Sequence, residues 1–288
     1  MLKSLFVALQ YSLPHHGLSR LVGRLAHSER RWLAQWLIRG FARRFKVDMS
    51  EAVQPEPEAY SSFNEFFTRP LRPEVRPLAQ AAQWPADTMI CPVDGAVSQA
   101  GRIDQGTIFQ AKGHQFTTAA LLGRSPTGPT EYDQGRFATL YLSPRDYHRI
   151  HMPFAGTLRR MTFVPGRLFS VNPTTTERVP ALFARNERVV CEFDTAQGPA
   201  ALVLVGAMIV ASIATTWAGT VAPRKGGIAR WDYTQDAPVF SRGDEMGRFL
   251  LGSTVVMLTA DSDHPWTDTL APGKPVQVGE PLSAQDTR

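Results

Sequence analysis

The stretch Arg248–Leu258, RFLLGSTVVML, alternates well enough for a half-buried β-strand, yet Gly252 and Ser253 stand in its middle, where neither residue favours a strand. Why a strand should be interrupted there, 36 residues from the end, governs the reading of the whole second half of the chain. Upstream of it, from residue 89 onward, short runs rich in Val, Ile, Thr and Phe recur between Gly, Pro and Asp turns, the signature of a mainly antiparallel β domain. Two units share P-x-x-G-x-apolar, Pro92–Val97 and Pro153–Leu158, and Pro272–Glu280 closes the chain as turn, strand and turn. The most apolar run, Ala200–Ala214, falls short of the ~20 residues a membrane-spanning helix needs and is interrupted by Gly206 and Ser212, so it reads as buried strand.

The first 50 residues differ in kind. Leu2, Leu5, Phe6 and Leu9 share one helical face, as do Leu18, Leu21, Val22 and Leu25, and then Leu33, Leu37, Phe41 and Phe45 with Trp32 and Trp36 alongside. Three amphipathic helices are expected, separated near Pro14 and near His27-Ser28. Residues 1–48 hold nine Lys and Arg against Glu29 and Asp48, a net +7, while the chain as a whole carries +5. A basic head on a near-neutral body points to an anionic partner, and apolar stripes with two Trp favour a phospholipid surface over nucleic acid. Packing of these stripes on the rest of the protein is the alternative. Residues 51–88, with Pro55, Pro57, Pro70, Pro73, Pro77 and Pro85, should wrap the surface as an extended arm with one helical turn around Phe63–Phe67. The expected class is α+β: N-terminal amphipathic helices (1–50), a Pro-rich arm (51–88), and a mainly antiparallel, barrel-sandwich-like β domain (89–288).

A chain of 288 residues with 43% hydrophobic content can bury a substantial core. Cys91 and Cys191 have no ligand spacing, so reduced, buried thiols are expected and the cytoplasm is weakly favoured. No secretory signal is evident, since Lys3 precedes only a short apolar patch.

Of seven histidines, His15, His16 and His27 sit in the head, leaving His114, His148, His151 and His264 for the β domain. His148 and His151 lie three apart in a turn-rich segment, Tyr141–Pro153, and can reach one site. H-x-x-H without Glu or a third ligand is a poor metal motif, and a structural pair on a loop is its plain alternative. Asp94, in Cys91-Pro-Val-Asp-Gly-Ala96, is by itself an ordinary Asp-Gly turn residue. It gains weight as part of an Asp, His and Ser set, in which Asp orients an imidazole, the imidazole takes a proton from a hydroxyl, and the hydroxyl of Ser253 attacks a carbonyl. That carbonyl can be the preceding residue's own. Attack by Ser253 Oγ converts the Gly252–Ser253 amide into an ester; loss of the serine α-proton expels the upstream chain and leaves dehydroalanine, which hydrolyses to ammonia and a terminal pyruvoyl group. Glycine at 252 removes the Cβ that would obstruct the attack. A bulge is the ordinary alternative for Gly-Ser in a strand.

Taken together, Phe63–Pro73, Pro92–Gly95, Lys112–Thr117, Tyr141–Pro153, Leu168–Asn172, Leu182–Arg188, Val205–Ala207 and Leu251–Thr254 resemble, in order and without departure, the stretches that mark the bacterial phosphatidylserine decarboxylase family. L-G-S-T combined with D-Y-H-R-x-H is highly specific to it. The resemblance implies a cut at Gly252–Ser253 giving chains 1–252 and 253–288, with Asp94, His151 and Ser253 as the processing set and His151 as its base. It implies His148 for the decarboxylation step and, more weakly, Phe169, Ser170 and Asn172 for substrate binding. The implied reaction turns phosphatidylserine into phosphatidylethanolamine through a Schiff base to a pyruvoyl group made from Ser253, with neither metal nor pyridoxal phosphate. It further implies a homodimer of processed units, an anionic phospholipid membrane as partner with no nucleic acid, and peripheral attachment at the cytoplasmic face of a bacterial cytoplasmic membrane. Rival readings are a pyruvoyl decarboxylase of the same scaffold acting on another amino acid, a serine hydrolase using Ser253, and a non-catalytic membrane-binding β domain.

Overall fold

The structure is a computed structural model that describes residues 2–78, 84–125, 128–208, 212–250, 253–260, 265–267 and 270–283. Three helices open it: α1 (Leu2–Ser12), α2 (His15–Ala26) and α3 (Arg31–Phe45). Pro14 caps α2, and Lys46 in the left-handed region closes α3, so the breaks fall where the apolar stripes lose phase. The inward stripe of α2 is small or polar, His15, Ser19, Gly23 and Ala26, and that of α3 includes Ala34 and Ile38. Larger apolar side chains point out instead: Leu21 and Leu25 are exposed, and Trp32 and Trp36 are each 70% exposed.

The arm departs from the surface wrap its prolines suggest. Ser62 caps α4 (Phe63–Phe67), accepting the Glu65 amide at 3.2 Å, and the helix buries Phe63, Phe66 and Phe67. Phe41 of α3 packs on these rings, with centroids 5.1 Å from Phe63 and 5.8 Å from Phe67. Burying three aromatic rings stabilises more than a few solvated loop residues would, so this part of the arm joins the core and fixes the head to it.

The β region has fifteen strands among the described residues: β1 (Gly95–Arg102), β2 (Thr107–Ala111), β3 (His114–Thr117), β4 (Arg136–Leu142), β5 (Arg149–His151), β6 (Gly156–Val164), β7 (Arg188–Thr195), β8 (Gly198–Val205), β9 (Ile213–Thr215), β10 (Gly219–Ala222), β11 (Ala229–Asp232), β12 (Val239–Phe240), β13 (Glu245–Phe249), β14 (Ser253–Thr259) and β15 (Pro275–Val276). Short helices α5 (Thr118–Leu122), α6 (Pro173–Thr176) and α7 (Leu182–Arg185) interrupt them. The large sheet runs β11-β6-β7-β8-β14-β4-β1-β15 with β12 also on β6, a four-stranded sheet runs β10-β9-β13-β5, and β2 pairs β3. All strand pairs are antiparallel.

The large sheet is buried on both faces. Along β8, Ala201, Val203 and Val205 join one apolar cluster with Ile38, Phe66 and Phe169; Leu202 and Leu204 join a second with Ile150, Met246 and Phe249 of the small sheet. Helices, large sheet and small sheet are thus three layers, and the unbroken apolar run follows from burial on both sides. That run is two strands, not one. β8 ends at Val205, residues 206–212 cross, and β9 enters the small sheet.

The RFLLGSTVVML stretch crosses in the opposite direction. β13 belongs to the small sheet and β14 to the large one, so only residues 250–252 connect them. The four Cα-to-Cα steps from Phe249 to Ser253 reach at most ~13–14 Å, against the ~10 Å face-to-face spacing of packed sheets. It is a short crossing.

Candidate active site

The end of the large sheet where β4 stops and β14 begins gathers the chemistry. Ser253 pairs with Leu142, and on the other side of β4 Ala96 pairs with Tyr141, which puts Asp94-Gly95 and Ser253 two strand spacings apart, roughly 10 Å by backbone. Gly95 is required there, since a Cβ would lie 2.2 Å from the Tyr141 carbonyl oxygen. From β4 the chain turns through Ser143–Tyr147 into β5, delivering His148 and His151 to the same end. Gly252 lies outside the described residues, and of Ser253 the backbone at the start of β14 is what the structure gives.

Asp94 is buried, and its carboxylate is occupied. Arg76 Nε donates to both oxygens at 2.9 Å, Arg76 Nη2 donates to Oδ2, and the Val278 amide donates to Oδ1 at 3.0 Å. Glu51 holds the other side of Arg76, at 3.0 and 2.9 Å. The two carboxylates raise the guanidinium above its ordinary range despite the opposing cost of burial.

His151 is committed at both ring nitrogens. Nδ1 donates to the Gly243 carbonyl at 2.7 Å, and Nε2 accepts from the Tyr147 hydroxyl at 3.1 Å. Burial lowers its pKa, opposed in part by the Gly243 bond, so the ring is neutral with its lone pair at Nε2. Its amide donates to the Pro92 carbonyl at 2.9 Å, which sets it beside the Asp94 loop. The Asp-to-imidazole bond of a Ser, His and Asp template is thus replaced: a backbone carbonyl orients His151, and Asp94 anchors Arg76.

His148, three residues earlier, has one nitrogen bare. Nδ1 donates to the Asp146 carbonyl at 2.7 Å, whereas Nε2 is buried with no hydrogen-bond partner among the described residues. The ring is fully buried and packs 4.0 Å, centroid to centroid, from Phe67. Burial pulls its pKa down to about 3, so at neutral pH Nε2 carries an unprotonated lone pair. The His148 carbonyl accepts the Phe249 amide at 3.0 Å, tying the imidazole to the last residue before the 250–252 connection. Thr254, the next residue after Ser253, also has a buried hydroxyl without a partner.

Phe169, Ser170 and Asn172 form a second group. Asn172 caps α6, accepting the Thr175 amide at 3.0 Å and donating to Ser170 Oγ at 2.9 Å. The head reaches this loop: the Ser170 amide donates to Gln10 Oε1 at 2.8 Å, the Leu168 amide to His15 Nδ1 at 3.2 Å, and the Phe169 ring lies 4.9 Å from Tyr11. Buried Asn186 links the loop to the sheet end, accepting the Phe169 amide at 3.0 Å and donating to the Gly206 carbonyl at 2.8 Å. Gly206 follows Val205, the strand partner of Thr254.

Several of these residues carry no sequence signal of their role. Arg76 reads as one more charge in the arm, and Gly243 as a turn residue, because their contacts cross gaps of 18 and 92 residues. Phe67 and Tyr147 lie inside motifs already singled out, and Gln10 is invisible in a helix whose other marks are apolar. His264 lies outside the described residues.

Comparison with known proteins shows the family. The family model described as phosphatidylserine decarboxylase matches residues 63–284, and a second, described as PSD, matches residues 5–46. The phosphatidylserine decarboxylase proenzyme of Azoarcus sp. (strain BH72) is 57% identical over 279 residues, covering 96% of this chain and 95% of that protein. Proteins of the same name from Shewanella frigidimarina (55% over 285 residues; 97% and 98% covered) and Bordetella pertussis (54% over 282; 97% and 94%) are similar throughout. With a model covering well over half its length and relatives matched end to end, the chain belongs to the phosphatidylserine decarboxylase family.

Proposed function

We propose that the protein decarboxylates phosphatidylserine to phosphatidylethanolamine at a pyruvoyl group formed from Ser253 when the chain cuts itself after Gly252. The observation that carries this reading is the start of β14 at Ser253, at the sheet end that also carries His148, whose buried Nε2 has no partner among the described residues. An unpartnered buried nitrogen costs about 1–3 kcal/mol, and a reacting group at the start of β14 would satisfy it. Once formed, a pyruvoyl carbonyl would supply the electron sink for loss of carbon dioxide.

The surrounding residues divide the remaining work. For self-cutting, His151 Nε2 is the base, with Tyr147 reporting where its lone pair points; Asp94 and Arg76 hold the loop beside it. For turnover, His148 Nε2 accepts a proton at the reacting centre and returns it to carbon after carbon dioxide leaves. Its depressed pKa makes it reluctant to keep that proton. Phe67 and the buried surroundings exclude water, which favours loss of the carboxylate charge. Ser170 and Asn172, fixed by Gln10 and by the α6 cap, stand as substrate-binding groups at the same sheet end.

The exposed Trp32, Trp36, Leu21 and Leu25, together with the basic head, suit peripheral attachment to an anionic bilayer, where each Lys or Arg near the surface contributes about 1 kcal/mol. Among the described residues no helix is long and apolar enough to cross a membrane. The two buried free cysteines suit the reducing cytoplasmic side, and the family resemblance implies a homodimer of processed units.

The test is release of carbon dioxide from phosphatidylserine in vesicles, with and without phenylhydrazine. Activity abolished by this carbonyl reagent is expected; undiminished activity would overturn the reading. Replacing Trp32 and Trp36 by Ser should lower co-sedimentation with anionic vesicles.

A further inference from the structure

A cavity of about 620 Å³ lies between α2 and the body of the protein, lined by four cations and a buried carboxyl. Four exposed cations line it: Arg20 and Arg24 from α2, Arg224 and Lys225 from the turn after β10. Arg224 is steadied by the Trp231 ring, 5.2 Å from its guanidinium carbon. Among the described residues none of the four has a carboxylate partner. The interior is lined by Glu187, 6% exposed, and Ser19, 3% exposed.

Neither of these buried groups is satisfied by the protein. Ser19 Oγ has no hydrogen-bond partner, and no hydrogen bond or ion pair to the Glu187 carboxyl is formed among the described residues. Burial alone pushes the Glu187 carboxyl up to about 7. A buried carboxyl and a buried hydroxyl lining one cavity offer acceptors to an ammonium group with three N–H donors. The four cations offer the complement of a phosphodiester.

The neighbours of these cations also identify the source of the ligand. Leu21 and Leu25 are exposed beside Arg20 and Arg24, and Ile228 is exposed three residues after Lys225. Cations interleaved with exposed aliphatic side chains in both segments are suited to the lipid–water interface and not to capture of a free ion from solution.

We propose that this cavity is a binding site for the headgroup of an aminophospholipid, its ammonium seated against Glu187 and Ser19 and its phosphodiester held by Arg20, Arg24, Arg224 and Lys225. It adds a site to the function proposed above and rests on that reading only in taking its ligand from a bilayer. The cavity lies close to the proposed reaction centre: Ser212 on its wall accepts the Leu250 amide at 3.0 Å through its carbonyl. It is suited to receive an amine-bearing lipid before or after the chemistry.

The test uses the full chain carrying Ser253→Ala, so that binding is measured without processing or turnover and its outcome is independent of the pyruvoyl reading. Calorimetric titration with dihexanoyl lipids below their micelle concentration compares phosphatidylethanolamine, phosphatidylcholine and inorganic phosphate. Phosphatidylethanolamine should bind at least about tenfold more tightly than phosphatidylcholine, whose quaternary nitrogen has no N–H to donate. Glu187→Gln should erase that preference, while Arg20→Gln with Arg24→Gln should weaken both lipids. Ser19→Ala, a smaller change, should reduce the preference as well and keeps the question answerable should Glu187→Gln fold poorly. Equal binding of the two lipids, a preference that survives both Glu187→Gln and Ser19→Ala, or inorganic phosphate binding as tightly as the lipid would each overturn the proposal.

Discussion

The chain passes between its two sheets at two places that invite comparison. From β8 to β9 it uses residues 206–212; from β13 to β14 it uses 250–252. The two crossings touch, since the Leu250 amide donates to the Ser212 carbonyl. The eight Cα-to-Cα steps from Val205 to Ile213 can reach ~26–29 Å and the four from Phe249 to Ser253 only ~13–14 Å, so the first crossing has about twice the reach of the second. Ser212, at the end of the first, lines a cavity that Glu187 also lines, whereas Phe249, just before the second, donates its amide to the carbonyl of fully buried His148. A shorter crossing allows its peptide bonds fewer positions, which favours a reaction of the chain on itself.

The largest effect expected is from Ser253→Ala. It should leave an uncut chain on a denaturing gel and reduce decarboxylation to background, and a cut or active variant would detach the short crossing from the chemistry. Next come the two histidines. His148→Gln should lower kcat by ~10²–10⁴-fold while cutting proceeds, whereas His151→Gln should block cutting; the reverse pattern would exchange their roles. Lengthening the crossings tests the comparison itself. Two glycines inserted after Phe249 should slow cutting by about a hundredfold, because a displacement of ~1 Å already costs that much. The same insertion after Ala207 should change cutting far less, and equal effects would show that the length of the crossing is irrelevant.

The smallest effect concerns Glu187. Its folded pKa of about 7 lies above the ordinary 4.5, so the protonated carboxyl favours the folded state. Its stabilising contribution is full below pH 4.5 and is lost as pH rises through about 7. Glu187→Gln should therefore match the parent protein near pH 4 and be more stable near pH 8, by up to about 3 kcal/mol, in denaturant titrations without lipid. A difference independent of pH would mean that the carboxyl is solvated.

Local signals and distant contacts separate what is legible in the sequence from what is not. The head was readable because α1, α2 and α3 keep a 3.6-residue period and break at Pro14 and after Ala26, all within a few turns of chain. The interruption at Gly252-Ser253 was readable for the same reason. Its cause was not, because a change of sheet appears only when β13 and β14 are paired with strands more than 30 residues away in the chain. The apolar run 200–214 hid a second crossing, since a strand buried on both faces loses the alternation that would mark its end. Around the site, Asp94, His148 and His151 stood out by residue type, but their partners did not: Arg76 looks like a surface charge until it is seen buried between Glu51 and Asp94. Phe63–Phe67 looked like a turn in a surface arm because nothing local announces that Phe41 will pack on it.

The central claim is that the protein makes its own electrophile from Ser253, and the intact mass of freshly purified active material tests it most directly. The account predicts two pieces corresponding to residues 1–252 and 253–288, the smaller refractory to N-terminal sequencing and gaining the mass of an oxime after treatment with hydroxylamine. Active protein that weighs as one unmodified chain of 288 residues, with no mass added by hydroxylamine, would contradict it.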